Sequence, residues 1–435
     1  MNTDNICAIA TATGGAIGIV RLSGPDAGAI ASKICTRISA GTTPRTAILT
    51  PVVADGLVLD QAVVTLYQGP HSYTGEDCVE IACHGSQYIL NKVLETLIGH
   101  GARLAKPGEF TMRAFMNGKL DLAQAEAVAD LIAADSAAAH RIAMSQLRGH
   151  FSDELAQLRS QLLHLTSLLE LELDFADHEE LEFADRRELL ALAQTIHSRV
   201  AHLTETFRAG NALKKGIPVA IVGAPNVGKS TLLNQLLGEE RAIVSDIQGT
   251  TRDAIEDTIQ LGGITFRFID TAGIRHTDDR IERLGIDRSL SAVQRAAIVL
   301  MVTEPGVAYP DIVTRDDQTV IRIENKTPAF QAKYGIGLDQ LRQQLIDAAP
   351  STSDTDVIIT NARHYEALAR SQQALARVID GLQALLSPTP ISTISTDLIA
   401  DDLRLTLDAL AEITGETITS DEVLHNIFRH FCVGK

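Results

Sequence analysis

Residues Gly223-Ala224-Pro225-Asn226-Val227-Gly228-Lys229-Ser230 carry the spacing of a phosphate-binding loop, and Thr231 opens a leucine-rich helical segment behind it. The chemistry follows from the residue types. Glycines let backbone N–H groups curl around phosphate oxygens, and the helix N-terminus adds a positive dipole end. Lys229 supplies a point charge, and the Ser230 hydroxyl is a ligand for Mg2+. Asp270-Thr271-Ala272-Gly273 follows a strand pattern, where the carboxylate can hold Mg2+ through water and Gly273 admits a backbone N–H to a γ-phosphate. Between them lies Gly249-Thr250-Thr251-Arg252-Asp253, whose threonines can cap Mg2+ only while that phosphate is present. Each motif is weak alone. Their order and their strand contexts indicate a nucleotide switch.

The surrounding elements suit that reading. Pro218–Val222, Thr265–Ile269, Ala297–Val302 and Thr319–Ile323 are strand candidates with helical segments between some of them, which predicts a mostly parallel α/β sheet. Before this unit, Leu122, Ala125, Val128, Ala129 and Ile132 recur at helical spacing, as do leucines from Leu155 to Leu171. Helical patterns return over Asn361–Leu386 and Asp397–Ile413. Residues 1–119 mix short strands such as Gly18–Leu22 and Val63–Tyr67 with Gly and Pro breaks. The expected organisation is an α+β domain at 1–119, a helical domain in two parts at 120–212 and 352–435, and a P-loop α/β domain inserted between them at 213–351.

Composition excludes several classes. The 435 residues are 45% hydrophobic and 21% charged, a globular balance with room for about three domains. The longest apolar run unbroken by a small residue, Ile298–Val302, is far too short to span a bilayer. No basic leader precedes the first apolar stretch, and five cysteines are too few and odd in number for a disulfide framework, so a reduced cytoplasmic setting is expected. The net charge of −17 argues against nonspecific wrapping of nucleic acid. Residues 1–119 hold 9 basic and 9 acidic side chains, so an anionic partner meets least resistance there. Cys78, Cys83 and His84 match no standard zinc spacing and read as buried thiols and a satisfied histidine.

These motifs, with Arg21-Leu22-Ser23-Gly24, Tyr73-Thr74-Gly75-Glu76-Asp77, Pro107-Gly108-Glu109-Phe110, Lys119 to Glu126 and the ending Cys432-Val433-Gly434-Lys435, closely resemble the MnmE (TrmE) family of bacterial tRNA-modification GTPases over almost the whole chain. The resemblance implies a Ras-like G domain in a homodimer that works with the FAD-dependent partner MnmG as a heterotetramer. Together they modify C5 of the wobble uridine of certain tRNAs with a one-carbon unit from 5-formyl-tetrahydrofolate. Carried over residue by residue, the family assigns GTP to Asn226 through Thr231, Ser245, Thr250, Thr251, Asp270 through Gly273, Asn325 and Lys326, with Mg2+ on Ser230 and Thr251. It assigns a K+ ion to Asn226, Ser245, Ile247 and Thr250, and the folate to Arg21, Glu80, Lys119 and Lys435. Glu282 is its water-positioning acid, and Cys432 has a role in tRNA modification.

Read without the family, several of these residues are ordinary. Ile274 stands where Ras-like switches place a water-orienting Gln, so that function must come from elsewhere. Glu282, near Arg280 and Arg283, is equally a surface ion-pair partner, and Asn226 a residue tolerant of turn geometry. Arg252 and Arg275 flank the switch motifs without a definite role. Switch motifs also fit a regulatory GTP-dependent module of the ribosome-assembly class. Residues 1–119 and the Cys-Val-Gly-Lys tail favour the modification enzyme, since a simple assembly switch needs neither.

One departure from the family concerns the base. Guanine is read by Asn-Lys-x-Asp, the carboxylate accepting from N1–H and the exocyclic amine. Here Asn325-Lys326-Thr327-Pro328 puts a proline at the acid position, and the later loop containing Ala332-Lys333 arrives only a few residues on. The α/β unit is correspondingly shorter than the ~160 residues of a full set of strands and crossover helices. Weaker and less selective GTP binding is expected, with residual preference from Asn325 and Lys326. Strong selectivity would need another acid, such as Glu324.

Overall fold

The computed structural model describes residues 4–39, 41–174, 186–239, 257–269, 291–350, 357–386, 396–416, 424, 427–429, 431 and 434. The chain divides into two compact units, Met1–Ala129 with Leu147–Arg159 and Leu407–Lys435, and Asp130–Gln146 with Ser160–Thr406.

The first unit is built on a six-stranded sheet of β1 (Asn5–Ile9), β2 (Ile17–Ser23), β3 (Ala47–Ala54), β4 (Leu57–Tyr67), β5 (Cys78–His84) and β6 (Ala102–Leu104), in the order β3-β4-β5-β2-β1-β6. Only β1 and β6 run parallel. The β3–β4 hairpin turns on Asp55 and Gly56, both with positive φ (52° and 78°), the backbone that a two-residue turn requires to match strand twist. Helices α1 (Ala27–Ile34) and α2 (Gln87–Gly99) bury Ile30, Ile34, Leu90, Val93 and Leu97 against Val20, Leu22, Val64, Val79 and Ile81 of the sheet. Then come α3 (Glu109–Met116) and α4 (Leu122–Ala133).

Helices α5 (Ala137–Leu147), α6 (His150–Asp174) and α7 (Arg186–Lys215) follow, and α7 feeds almost directly into the second sheet. Its elements are β7 (Ile217–Val222), α8 (Lys229–Glu239), β8 (Asp257–Leu261), β9 (Ile264–Phe268), β10 (Ile298–Thr303), β11 (Thr319–Glu324) and α9 (Leu338–Asp347). The order is β11-β10-β7-β9-β8. The expected parallel character holds for β7, β9, β10 and β11, while β8, not foreseen, is an antiparallel neighbour of β9. Its sequence Asp-Thr-Ile-Gln-Leu alternates, but polar residues at three of five positions hide it among loop compositions. Residues 304–318 connect β10 to β11 with no helix, an unusually bare crossover for parallel strands. Leu232, Leu233 and Leu236 of α8 and Leu341 and Leu345 of α9 pack with Val219, Ile221, Leu300 and Ile323 into one core. Helix α10 (Ala362–Leu386) lies along α7, with Phe207 stacked on Tyr365 at 4.5 Å, and α11 (Thr396–Thr414) follows.

Candidate functional site

The loop between β7 and α8 stands at the carboxyl end of a central parallel strand, where α/β sheets bind ligands. Its shape depends on two glycines. A Cβ on Gly223 would lie 2.1 Å from the Val302 carbonyl oxygen, and one on Gly228 (φ 98°) would lie 2.3 Å from Nδ2 of Asn325. Asn226 adopts φ 64°, a left-handed conformation that asparagine tolerates better than most residues. Successive residues of alternating hand turn backbone N–H groups inward into an anion-binding concavity. Lys229 folds over this loop and donates to the carbonyls of Gly223 (2.9 Å) and Ala224 (2.8 Å). Burial lowers its pKa below that of an ordinary lysine, so an arriving anion would stabilise the charged form. Ser230 and Thr231 follow Lys229 in the first turn of α8, and Val227 is buried.

Asn325 ties the far wall to the loop. Its backbone N–H donates to Thr303 O (2.8 Å), Nδ2 donates to Val227 O (2.8 Å), and Oδ1 accepts from the Ala332 N–H (3.0 Å). Lys326 donates to Asn226 O at 3.2 Å and ion-pairs with Glu304. Asn226, Val227, Gly228, Lys229, Asn325 and Lys326 therefore lie together at the end of this sheet. Ser245, Ile247, Thr250, Thr251, Asp270, Thr271, Ala272, Gly273 and Glu282 lie outside the described residues.

In the first unit, Arg21 of β2 and Glu80 of β5 are directly opposed in register. Nε and Nη2 of Arg21 both donate to Oε1 of Glu80, at 3.0 and 2.8 Å. The guanidinium also lies 5.3 Å from the Tyr73 ring centroid and 5.7 Å from that of Phe110, and Nη1 donates to Gly434 O at 3.1 Å. Lys119 donates instead to Pro70 O at 3.0 Å and lines an open cleft of about 380 Å³ with Phe115, Asp121, Gln124 and Glu416. Lys435 and Cys432 lie outside the described residues.

Tyr73, Glu76, Glu109 and Phe110 stand within the sequence motifs, which give no sign of what these side chains do. Behind Arg21, Arg113 is 1% exposed and contacts Asp4 (2.7 Å), Glu76 (3.0 Å) and Glu109 (3.2 Å). Burial would raise the Glu109 carboxyl, but hydrogen bonds from Arg103 and the Lys106 N–H override it and hold the pKa below the usual range. Asp4, partly desolvated, is likewise held low by Arg103 and Arg113. A five-membered charge cluster thus fixes α3 and its Phe110 beneath the Arg21 guanidinium. Cys78 and Cys83 are buried free thiols, and no three His, Cys, Asp or Glu side chains among the described residues are grouped to hold a metal.

Residues 5–119 match the family described as "GTP-binding protein TrmE N-terminus", and residues 122–432 match "MnmE helical domain". The chain belongs to the MnmE (TrmE) family. Proteins of Bacteroides thetaiotaomicron and Bacteroides fragilis, each named tRNA modification GTPase MnmE, are 48% identical over the full length of both chains. A protein of that name from Flavobacterium johnsoniae is 43% identical, again over the full length of both. These alignments extend over 475 positions against 435 residues here, so relatives carry segments that this chain lacks. No described helix is long and apolar enough to cross a membrane.

Proposed function

We propose that the protein is a tRNA-modifying GTPase. The observation that carries this reading is the β7–α8 loop, whose two glycines leave no room for side chains and whose Lys229 donates to the loop's own carbonyls. The residues present fit a nucleoside triphosphate. Lys229 would exchange its bonds to Gly223 and Ala224 for phosphate oxygens, and Ser230 would give its hydroxyl to Mg2+ alongside Thr251, with Asp270 through Gly273 near the γ-phosphate. Water attacks the γ-phosphorus, the bond to the bridging oxygen breaks, and GDP and phosphate leave. Glu282 would orient that water, since Ile274 has no side-chain acceptor. A K+ ion held by Asn226, Ser245, Ile247 and Thr250 would offset charge developing between the β- and γ-phosphates.

The Arg21–Glu80 pair supports a second site, for the one-carbon donor. Glu80 accepts from N–H groups of a pterin edge, while Arg21, Lys119 and Lys435 suit carbonyl or carboxylate oxygens. On this reading residues 1–119 bind 5-formyl-tetrahydrofolate and dimerise, 120–212 with 352–435 form the helical domain, and 213–351 form an inserted, shortened Ras-like G domain. The homodimer would act in the cytoplasm with the FAD-dependent partner MnmG on C5 of the wobble uridine, with Cys432 near the chemistry. Mass analysis of wobble uridine in a deletion strain tests it, complemented by the wild type or Lys229→Ala. Modification restored by the wild type alone is expected. Unaltered modification in the deletion strain would favour a regulatory switch instead.

A further inference from the structure

Asn325 and Lys326, the two residues of the Asn-Lys pair on the base side of the nucleotide site, are already paired within the protein. Asn325 uses its amide nitrogen on Val227 O and its amide oxygen on the Ala332 N–H. Lys326 divides its ammonium between Asn226 O and the carboxylate of Glu304. Thr327 and Phe330 close a tight turn on each other, N–H to O in both directions at 3.1 and 3.2 Å, with exposed Pro328 at its second position. That turn is well formed with proline there, and the proline offers no side-chain acceptor.

Glu324 cannot substitute. On β11 Ile321 and Ile323 face the core shared with Val227, and Asn325 continues on that side. Glu324 lies between them, exposed, with the opposite orientation that strand alternation imposes. Turning it inward would shift the strand by one residue and withdraw Asn325 from the loop. Glu304 is on the nucleotide side; its Oε2 is buried without a hydrogen-bond partner among the described residues, but its charge is balanced by the Lys326 ammonium, with which it forms an ion pair.

We propose that this chain's site recognises the triphosphate and scarcely reads the base, so that ATP and XTP occupy it nearly as well as GTP. The inference rests on the proposed nucleotide site and defines its substrate class more broadly. Steep rejection of a wrong base requires buried protein groups that it leaves unpaired. Here those groups are paired with one another, so a wrong base strands none of them. Affinity then comes from Lys229, the backbone concavity and the α8 terminus, which meet phosphates common to all three nucleotides.

Competition of a fluorescent GTP analogue by GTP, ATP and XTP, on the full chain with Mg2+, tests this directly. Dissociation constants for ATP and XTP within about tenfold of that for GTP are expected. Pro328→Asp, at an exposed turn position, should weaken ATP and XTP by about tenfold or more relative to GTP, because the new carboxylate pairs with guanine's N–H groups and repels the xanthine C2 carbonyl. Tight GTP binding with strong rejection of both competitors by the wild type would overturn the inference and leave the GTPase reading intact. Failure of all three triphosphates to bind would overturn both. An unchanged preference in a folded Pro328→Asp variant would show that the missing acceptor is not the cause.

Discussion

Arg21 places its guanidinium against Glu80, its direct cross-strand partner, and extends its remaining nitrogen to the carbonyl of Gly434, more than four hundred residues away in sequence. One side chain thus joins two central strands to the end of the chain. The rings of Tyr73 and Phe110 lie 5.3 and 5.7 Å from that guanidinium, whose forked contact with Glu80 a lysine cannot reproduce. Arg21→Lys is therefore expected to weaken 5-formyl-tetrahydrofolate binding by about tenfold or more while leaving the fold intact. Calorimetric titration with circular dichroism as control checks it. Unchanged affinity would remove Arg21 from the proposed folate site.

The buried cluster around Arg113 sets the pH behaviour of the first unit. Asp4 and Glu109 have depressed pKa values in the folded state, so their contribution is present above the unfolded values, near 4. It is lost as pH falls through the folded values. Denaturant stability is expected to fall steeply below about pH 4 and to be flat above about pH 6. Arg113→Met leaves Glu109, 2% exposed, without its partner one turn along the same helix and should cost about 3–5 kcal/mol at pH 7. A loss under about 1 kcal/mol would show that Arg103 alone satisfies the cluster.

Two substitutions separate charge from shape in the phosphate loop. Lys229→Ala should abolish GTP binding with little change in melting temperature, since its bonds among the described residues go to loop carbonyls. Gly223→Ala should abolish binding and also destabilise, because its Cβ meets the backbone of β10 at 2.1 Å, which cannot give way cheaply. Equal melting temperatures for the two variants would contradict that contact.

K+ should accelerate GTP hydrolysis relative to Na+ at matched ionic strength. Because Asn226 has positive φ, Asn226→Gly is the cleaner variant: it keeps the backbone and removes the amide oxygen. Loss of the K+ advantage in this variant is expected, and its persistence would place the ion elsewhere.

Glu282→Ala should lower kcat by about a hundredfold or more while leaving the nucleotide Kd nearly unchanged, as for an interaction made mainly in the transition state. Normal turnover with poor binding would make Glu282 a structural residue.

The four described cysteines are all buried. Burial pushes the Cys7, Cys35 and Cys83 thiols up to about 12, and Cys78 is also buried. At pH 8 these four should resist thiol reagents until the protein is unfolded, as peptide mapping of labelled protein would show. Rapid native labelling of any of them would contradict the packing.

The phosphate loop was legible in the sequence because local spacing makes it: glycines, a lysine and a helix start within eight residues need no distant partner to be recognised. The same holds for β7, β10, β11, α6 and α10, whose periodicities are strong. Strand β8 escaped because an edge strand with one wet face carries too few apolar residues to stand out. Arg21 and Glu80 were named only by resemblance, since nothing in residues 59 positions apart announces a cross-strand pair. The roles of Arg113, Tyr73 and Phe110 were invisible, because burial of a charge is a property of what surrounds it. Pro328 was conspicuous in sequence, yet its consequence depended on tertiary structure. Only the fold shows that Asn325 spends both ends of its amide on the protein and that strand alternation turns Glu324 away. A sequence specifies which groups exist; which of them remain free to meet a ligand is decided by the partners that folding brings within hydrogen-bonding distance.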